Sequence, residues 1–301
     1  MDRLEAMTVF LNAVDGGSLS AAGRCLDMPL ATVSRKLSDL EAHLKTRLLN
    51  RSTRRLTLTD AGRDYLVACK RILEDVANTE RAAAGEFAEP RGDLVITAPI
   101  VFGRLHVLPV IADFLAAYPK VDVRLVQGDR IVHLQDDHVD LAVRIGELPD
   151  SRLKAMRVGS TRRVVCASPG YIAARGLPLT PHELSEHQCI SFDAVSSSEA
   201  WRFLVDGVDV SVPLHSRLMV NTAEAAVDAA AAGVGVTRVL SYQIESAQRS
   251  GQLQAILRDF EAAPLPIHLI YAGQKRLPLK LRAFLDYAIP RLRDRLASIA
   301  Q

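Results

Sequence analysis

Apolar residues recur at helical spacing in the first segment, where Leu4, Met7, Leu11 and Val14 predict one buried stripe until Gly16-Gly17 ends the helix. Ser18 or Ser20 can cap a second short helix through Ala21, Ala22 and Leu26, and Asp27-Met28-Pro29 then forces a turn. A third helix follows Pro29, with Val33, Leu37, Leu40 and Leu44 as its buried face. At about 100° per residue, Ala31, Arg35, Ser38 and Ala42 point away from that stripe, with Thr32 and Ser34 on its flanks. Beyond Lys45-Thr46 the pattern changes to Leu48-Leu49-Asn50-Arg51, a polar turn Ser52-Thr53-Arg54, and the alternating Arg55-Leu56-Thr57-Leu58-Thr59, a two-stranded wing. Thr59-Asp60 caps a long helix to about Phe87. Along it Tyr65, Cys69, Ile72, Val76, Thr79 and Ala83 form a near-heptad seam that seeks a partner.

Glu89-Pro90-Arg91-Gly92 breaks the helical pattern, and the remainder alternates strands with helices as an α/β domain does. Leu94–Thr97, a helix from Phe102 to Tyr118, and Val121–Val126 compose a βαβ unit. Further strands are predicted at Leu141–Arg144, Arg163–Ala167, Cys189–Phe192, Leu218–Val220, Val234–Val239 and Ile267–Tyr271.

A length of 301 residues calls for two or three units, and 49% hydrophobic with 24% charged residues is the composition of a packed globular protein. The longest apolar run, Ala225 to Val236, is interrupted by Asp228 and glycines and falls short of the roughly 18 residues of a membrane span. No signal-peptide core follows the charged Met1-Asp2-Arg3-Leu4-Glu5, so a cytoplasmic location without a membrane anchor is expected. Cys25, Cys69, Cys166 and Cys189 lack C-x-x-C pairing and read as buried, reduced thiols, with a Cys166–Cys189 linkage as the alternative. Net charge is only +2, but Lys45, Arg47, Arg51, Arg54 and Arg55 fall within eleven residues that hold no acid. That patch, beside a helix face of small residues and one arginine, suits a nucleic-acid groove. No hydrolase elbow, zincin motif, phosphate loop or dinucleotide fingerprint occurs, and Gly233-Val234-Gly235 lacks the third glycine, so no catalytic residue or cofactor is expected. The ligand-type cluster His133, Asp136, Asp137, His138 and Asp140 reads as a polar loop before a strand, so no metal is expected.

Ser20-Ala21-Ala22, Val33-Ser34-Arg35-Lys36-Leu37, Leu40-Glu41, Leu48-Leu49-Asn50-Arg51 and Leu58-Thr59-Asp60-Ala61-Gly62 resemble the N-terminal signature of LysR-type transcriptional regulators. The resemblance continues through Asp140-Leu141-Ala142-Val143-Arg144-Ile145-Gly146 and Ala167-Ser168-Pro169-Gly170-Tyr171. It implies a winged helix-turn-helix over 1–59, a linker and dimerisation helix over 60–89, and a two-lobed α/β effector domain over 92–301, similar to type 2 periplasmic binding proteins. The first lobe takes 92–161 and 268–301, the second 162–267. Self-association as a dimer through the linker helix and further as a tetramer, an operator in double-stranded DNA, a small-molecule effector and contact with RNA polymerase are the partners implied. Asp27 and Lys45 depart from the family, standing at turns where it often has glycine, and Met28-Pro29-Leu30 replaces a frequent serine-proline pair.

Matching positions assign DNA contact to Leu30, Ala31, Thr32, Ser34 and Arg35, with Arg51 and Arg54 of the wing reaching phosphate or the minor groove. Arg35 is the first choice for a bidentate contact to guanine, against the plainer alternative of an i,i+4 pair with Asp39. Ile100, Val101, Gly128, Arg144, Phe192, Asn221 and Thr222 match positions that line the cleft between lobes. Helix ends and an arginine there favour a small organic acid, with Arg144 as its clamp. The alternatives are a helix cap for Thr222 and a surface ion pair for Arg144.

Overall fold

A computed structural model describes residues 1–51, 56–83, 89–129, 138–149, 153–192, 200–273 and 277–297. The chain forms two compact units, Met1–Glu89 and Pro90–Gln301.

The N-terminal unit contains helices α1 (Arg3–Asp15), α2 (Leu19–Cys25) and α3 (Leu30–Leu44), strands β1 (Leu49–Arg51) and β2 (Leu56–Leu58), and the long helix α4 (Asp60–Ala83). Each early helix starts where a short polar side chain satisfies free backbone donors: Asp2 accepts from Leu4 and Glu5, and Ser18 from Ala21. The predicted stripe on α1 is offset from the observed one. Ala6, Val9, Phe10 and Ala13 are fully buried, Met7, Leu11 and Val14 only partly, and Leu4 is exposed. The reason is that α1 is central, touching α2, α3, α4 and β2, so the face carrying Val9, Phe10 and the two alanines is covered from several sides.

On α3 the buried residues are Val33, Leu37 and Leu40. Each contributes about 1.5–3 kcal/mol by leaving water. The helix closes with Lys45 in the left-handed region at φ 54°, Lys45 donating to Ala42 O (3.2 Å) and Thr46 to Glu41 O (3.2 Å). This is a Schellman ending that normally takes glycine. Asp27, at the turn between α2 and α3, is likewise left-handed at φ 50°. The β1–β2 wing is antiparallel, with Leu49 facing Leu58. Thr59 Oγ1 accepts from Gly62 to cap α4 (2.9 Å), and a Cβ on Gly62 would meet Leu48 O at 2.0 Å. Glycine there permits α4 to touch the wing. Along α4, the Tyr65 ring packs tilted against Phe10 at 5.7 Å between centroids and Cys69 is buried, whereas Val67 and Ile72 are 39% exposed.

The C-terminal unit has two lobes, each with a five-stranded sheet. The first runs β4-β3-β5-β14-β6, from β3 (Gly92–Ala98), β4 (Val121–Gln127), β5 (Leu141–Ile145), β6 (Leu153–Thr161) and β14 (Leu265–Ala272). The second runs β11-β8-β12-β7-β13, from β7 (Arg163–Ala167), β8 (Cys189–Phe192), β11 (Ser216–Val220), β12 (Val236–Leu240) and β13 (Gln254–Ile256). In both, three parallel strands adjoin an antiparallel strand that has just crossed from the other lobe, β14 or β7. Leu265, Pro266 and Ile267 pair with Thr161, Ser160 and Gly159, so the first lobe resumes at Leu265 rather than at 268. A hairpin of β9 (Ala200–Val205) and β10 (Val208–Pro213) lies on the second lobe. Its Asp206-Gly207 turn has two positive φ angles, as a two-residue hairpin requires.

Helices on the sheets are α5 (Ile100–Ala117), α6 (Pro169–Arg175), α7 (Ala223–Ala231), α8 (Ser241–Arg249) and α9 (Leu279–Ala297). The turn Gly103–Val107 of α5 is π-helical. Among the described residues α5 has the length and hydropathy of a membrane span, but Val101, Phe102, Val107, Val110, Ile111 and Phe114 are buried in the first lobe's core.

Two substitutions check this account by chemical denaturation of the N-terminal unit. Gly62→Ala is expected to destabilise it by about 1–3 kcal/mol, because the obstructing atom is backbone. Lys45→Gly is expected to stabilise it by about 0.5–1 kcal/mol, by relieving the left-handed lysine.

Candidate functional site

Burial of Val33, Leu37 and Leu40 leaves the opposite face of α3 in solvent. Leu30 is 52% exposed as the first residue of the helix, Ala31, Arg35, Ser38 and Ala42 are exposed, and Thr32 and Ser34 are half-buried. Arg35 makes no ion pair with Asp39, so its guanidinium is available, while neighbouring Lys36 is tied to Glu5 on α1. Pro29 provides no side-chain cap at the start of α3; Thr32 N donates to Pro29 O (2.9 Å), so the first-turn donors left for an acceptor are those of Leu30 and Ala31.

Glu41 is a positioning residue that the sequence did not single out by role. Its Oε1 accepts from Leu48 N (2.9 Å) and Leu49 N (3.1 Å), holding the wing against the end of α3. The only sequence signal was its place in the Leu40-Glu41 motif. A groove of about 670 Å³ lies between them, lined by Ser38, Ala42, Lys45, Thr46 and Arg47 among others. Arg51 is in β1 and its side chain is not described; Arg54 lies outside the described residues.

In the second unit, β3 and β8 each stand between two parallel neighbours. The reversal of strand order opens a crevice at their carboxyl ends. These ends carry Ile100 and Phe192, both half-buried. Gly128 donates to Ala98 O (3.0 Å) at the end of β4, and Arg144, near the end of β5, is held by burial below its ordinary pKa. Asn221 is exposed and Thr222 caps α7 through Ala225 N (3.3 Å). Val101 turns its side chain into the first lobe's core, so only its backbone can face the cleft.

Further residues complete the place where the lobes meet. Asp129 accepts from Ile100 N (3.1 Å), occupying the first donor of α5, and burial raises its carboxyl pKa despite that bond. Tyr242 of α8 reaches the first lobe, with Phe102 at 5.4 Å and His106 at 5.5 Å between ring centroids. Burial raises its hydroxyl pKa, and Asp129 and Glu224 add to the effect by repulsion. Gln243 lies near that hydroxyl, but its Oε1 is taken by Leu240 N (2.7 Å). Among the described residues the hydroxyl, buried Thr97 Oγ1 and both ring nitrogens of His106 have no hydrogen-bond partner. Arg104 and Glu224 span the lobes at 3.8 Å. The sequence signal for Asp129 and Tyr242 was their position just past parallel strands, where α/β folds gather ligand contacts.

Among the described residues no cluster of His, Cys, Asp and Glu forms a metal site. Asp140 instead accepts from Val95 N (2.9 Å), fixing β3 beside β5. His133, Asp136 and Asp137 lie outside the described residues. Cys25 is exposed, contrary to the expectation of burial. Burial pushes the Cys166 and Cys189 thiols up to about 12, and the two belong to cores on opposite faces of the sheet. A linkage between them is sterically excluded.

These features define a protein class: a helix-turn-helix head with an exposed recognition face, joined to a two-lobed ligand-binding domain. The helix-turn-helix model of bacterial regulatory proteins of the lysR family matches residues 4–63, and the LysR substrate binding domain matches residues 87–293. The chain belongs to the LysR family of transcriptional regulators. It is 34% identical to an HTH-type transcriptional regulator of Xanthomonas campestris, over 94% of this chain and 84% of that one. It is 31% identical to the HTH-type transcriptional activator AaeR of Escherichia coli, over 95% and 93%. The solved structure of CrgA, a LysR-type regulator from Neisseria meningitidis, superposes with a TM-score of 0.62 at 31% identity, covering 96% of this chain and 98% of that one.

His106 gives the second unit a defined acid sensitivity. Burial first, then Arg295, lowers its pKa to about 4, against an opposing pull from Glu245. The unfolded chain takes up the proton near pH 6.5, before the folded chain does. Stability is therefore expected to fall by up to about 3 kcal/mol as pH drops from 6.5 to 4. Urea titrations at both ends of that window are expected to show a smaller loss for His106→Phe.

Proposed function

We propose that this regulator reads a two-fold symmetric operator through α3 in the major groove and adjusts that binding to a small molecule held between its lobes. The observation that carries the reading is the solvent-facing side of α3, whose small residues and Arg35, unpaired among the described residues, stand beside the β1–β2 wing. Leu30, Ala31, Thr32, Ser34 and Arg35 face base edges, and Arg51 and Arg54 reach phosphate or the minor groove. Exposed Val67 and Ile72 support pairing of α4 with a second copy, and two such dimers form the tetramer. The site of action is the cytoplasm, where bound regulator can meet RNA polymerase.

The effector lies against Ile100, Gly128, Arg144, Phe192, Asn221 and Thr222, with backbone alone at Val101. A small organic acid suits the Arg144 guanidinium. To reach the Ile100 N–H it must displace the Asp129 carboxyl. Its binding alters lobe closure, and α4 conveys the change to the spacing of the DNA heads.

Sequencing of genomic fragments retained by the purified protein tests the DNA assignment: a few symmetric sites support it, and uniform retention contradicts it. Arg35→Ala is expected to lose about 1–3 kcal/mol of discrimination between operator and random DNA. In calorimetry with a panel of organic acids, Asp129→Ala is expected to bind the active acid more tightly and Arg144→Gln more weakly. Absence of heat from the whole panel refutes the acid.

A further inference from the structure

The second lobe contains a pair of arginines that no carboxylate among the described residues answers. Arg238 faces Val165 and Leu240 faces Arg163 across the antiparallel β12–β7 pair. Arg238 and Arg163 are thus diagonal neighbours on one side, a spacing of about 7–8 Å. That side packs Val165, Val236, Trp201 and Phe203. Val164 and Val239 point the other way, into the core that includes α7 and α8, so the pair lies on the face away from the helices that reach the cleft.

The Arg238 guanidinium stands over Trp201 at 5.4 Å and Phe203 at 5.8 Å, and its Nη1 donates to Arg202 O (2.8 Å). Ring faces and a single carbonyl orient the fork without neutralising it. Arg163 remains solvent-exposed by area, yet enough protein surrounds it that desolvation lowers its pKa. Burial, with repulsion from Arg163 added, brings Arg238 down to about 10. Glu261 is engaged by adjacent Arg162 at 2.8 Å and forms no ion pair with either arginine. Two like charges partly withdrawn from water carry a cost that an anion between them removes.

We propose that Arg163 and Arg238 form a second ligand site, separate from the cleft, for a compact oxyanion. Guanidinium forks match the planar pair of oxygens that a phosphate or a carboxylate presents. The aromatic floor under Arg238 holds one fork in place before the anion arrives.

Trp201 is the sole tryptophan of the chain, so its emission reports on this site. The full-length protein is titrated with inorganic phosphate, and separately with acetate, at ionic strength held constant with sodium chloride. A saturable change in Trp201 emission is expected, and comparison of the two anions separates a phosphate site from a carboxylate site. Arg163→Gln, at an exposed position, is expected to keep the circular dichroism spectrum and to weaken binding by at least about tenfold. Arg238→Lys, which keeps the charge and loses the fork, is expected to weaken it as well. Absence of saturation with both anions, or an unchanged titration in Arg163→Gln, overturns the proposal.

Discussion

Burial of Val33, Leu37 and Leu40 is the constraint on which the DNA-reading head depends. Once those side chains are committed to the core, the rotation of α3 is set, and Ala31 and Arg35 face solvent whatever their own preferences. The wing then needs a fixed distance from that helix. Glu41 supplies it through the backbone donors of Leu48 and Leu49 at the start of the wing, and Gly62 lets the start of α4 close against Leu48. Core packing, a charged brace and a missing side chain thereby act on one surface.

The same logic governs the ligand-binding unit, with sheets in place of helices. Strands exchanged at the crossovers tie the two lobes together, and parallel strands on either side of β3 and β8 aim their carboxyl ends at a common space. Polar groups are dense there, but several satisfy one another: Asp129 takes the Ile100 donor and Thr222 takes Ala225. Thr97, His106 and Tyr242 keep buried atoms without partners among the described residues, each a cost of about 1–3 kcal/mol. Such a contact between lobes is poised to gain from a ligand or from rearrangement.

The sequence by itself determined the elements whose signals are local. Helical periodicity, a serine cap at Ser18 or Ser20, the Thr59-Asp60 cap, the wing's alternation and the buried strands Arg163–Ala167 and Cys189–Phe192 are carried by neighbours within a few residues. The exposed side of α3, with Arg35 and its small companions, followed from geometry alone once its stripe was known. Edge strand β6 escaped because a strand with one partner tolerates mixed polarity, and the β9–β10 hairpin despite its Asp206-Gly207 turn because no longer apolar run accompanies it. The stripe on α1 was displaced because the helix packs against several elements at once, which buries Val9 and Phe10 as well as its alanines.

What only the tertiary structure decided are pairings between residues far apart in the chain. Asp129 meets Ile100, Tyr242 meets His106, Arg104 meets Glu224 and Arg238 stacks on Trp201 through strand order and crossover, to which no local pattern is sensitive. Periodicity says which way a side chain points from its own axis. What it points at depends on which other axis packs there, and that is settled by the collective burial of both cores.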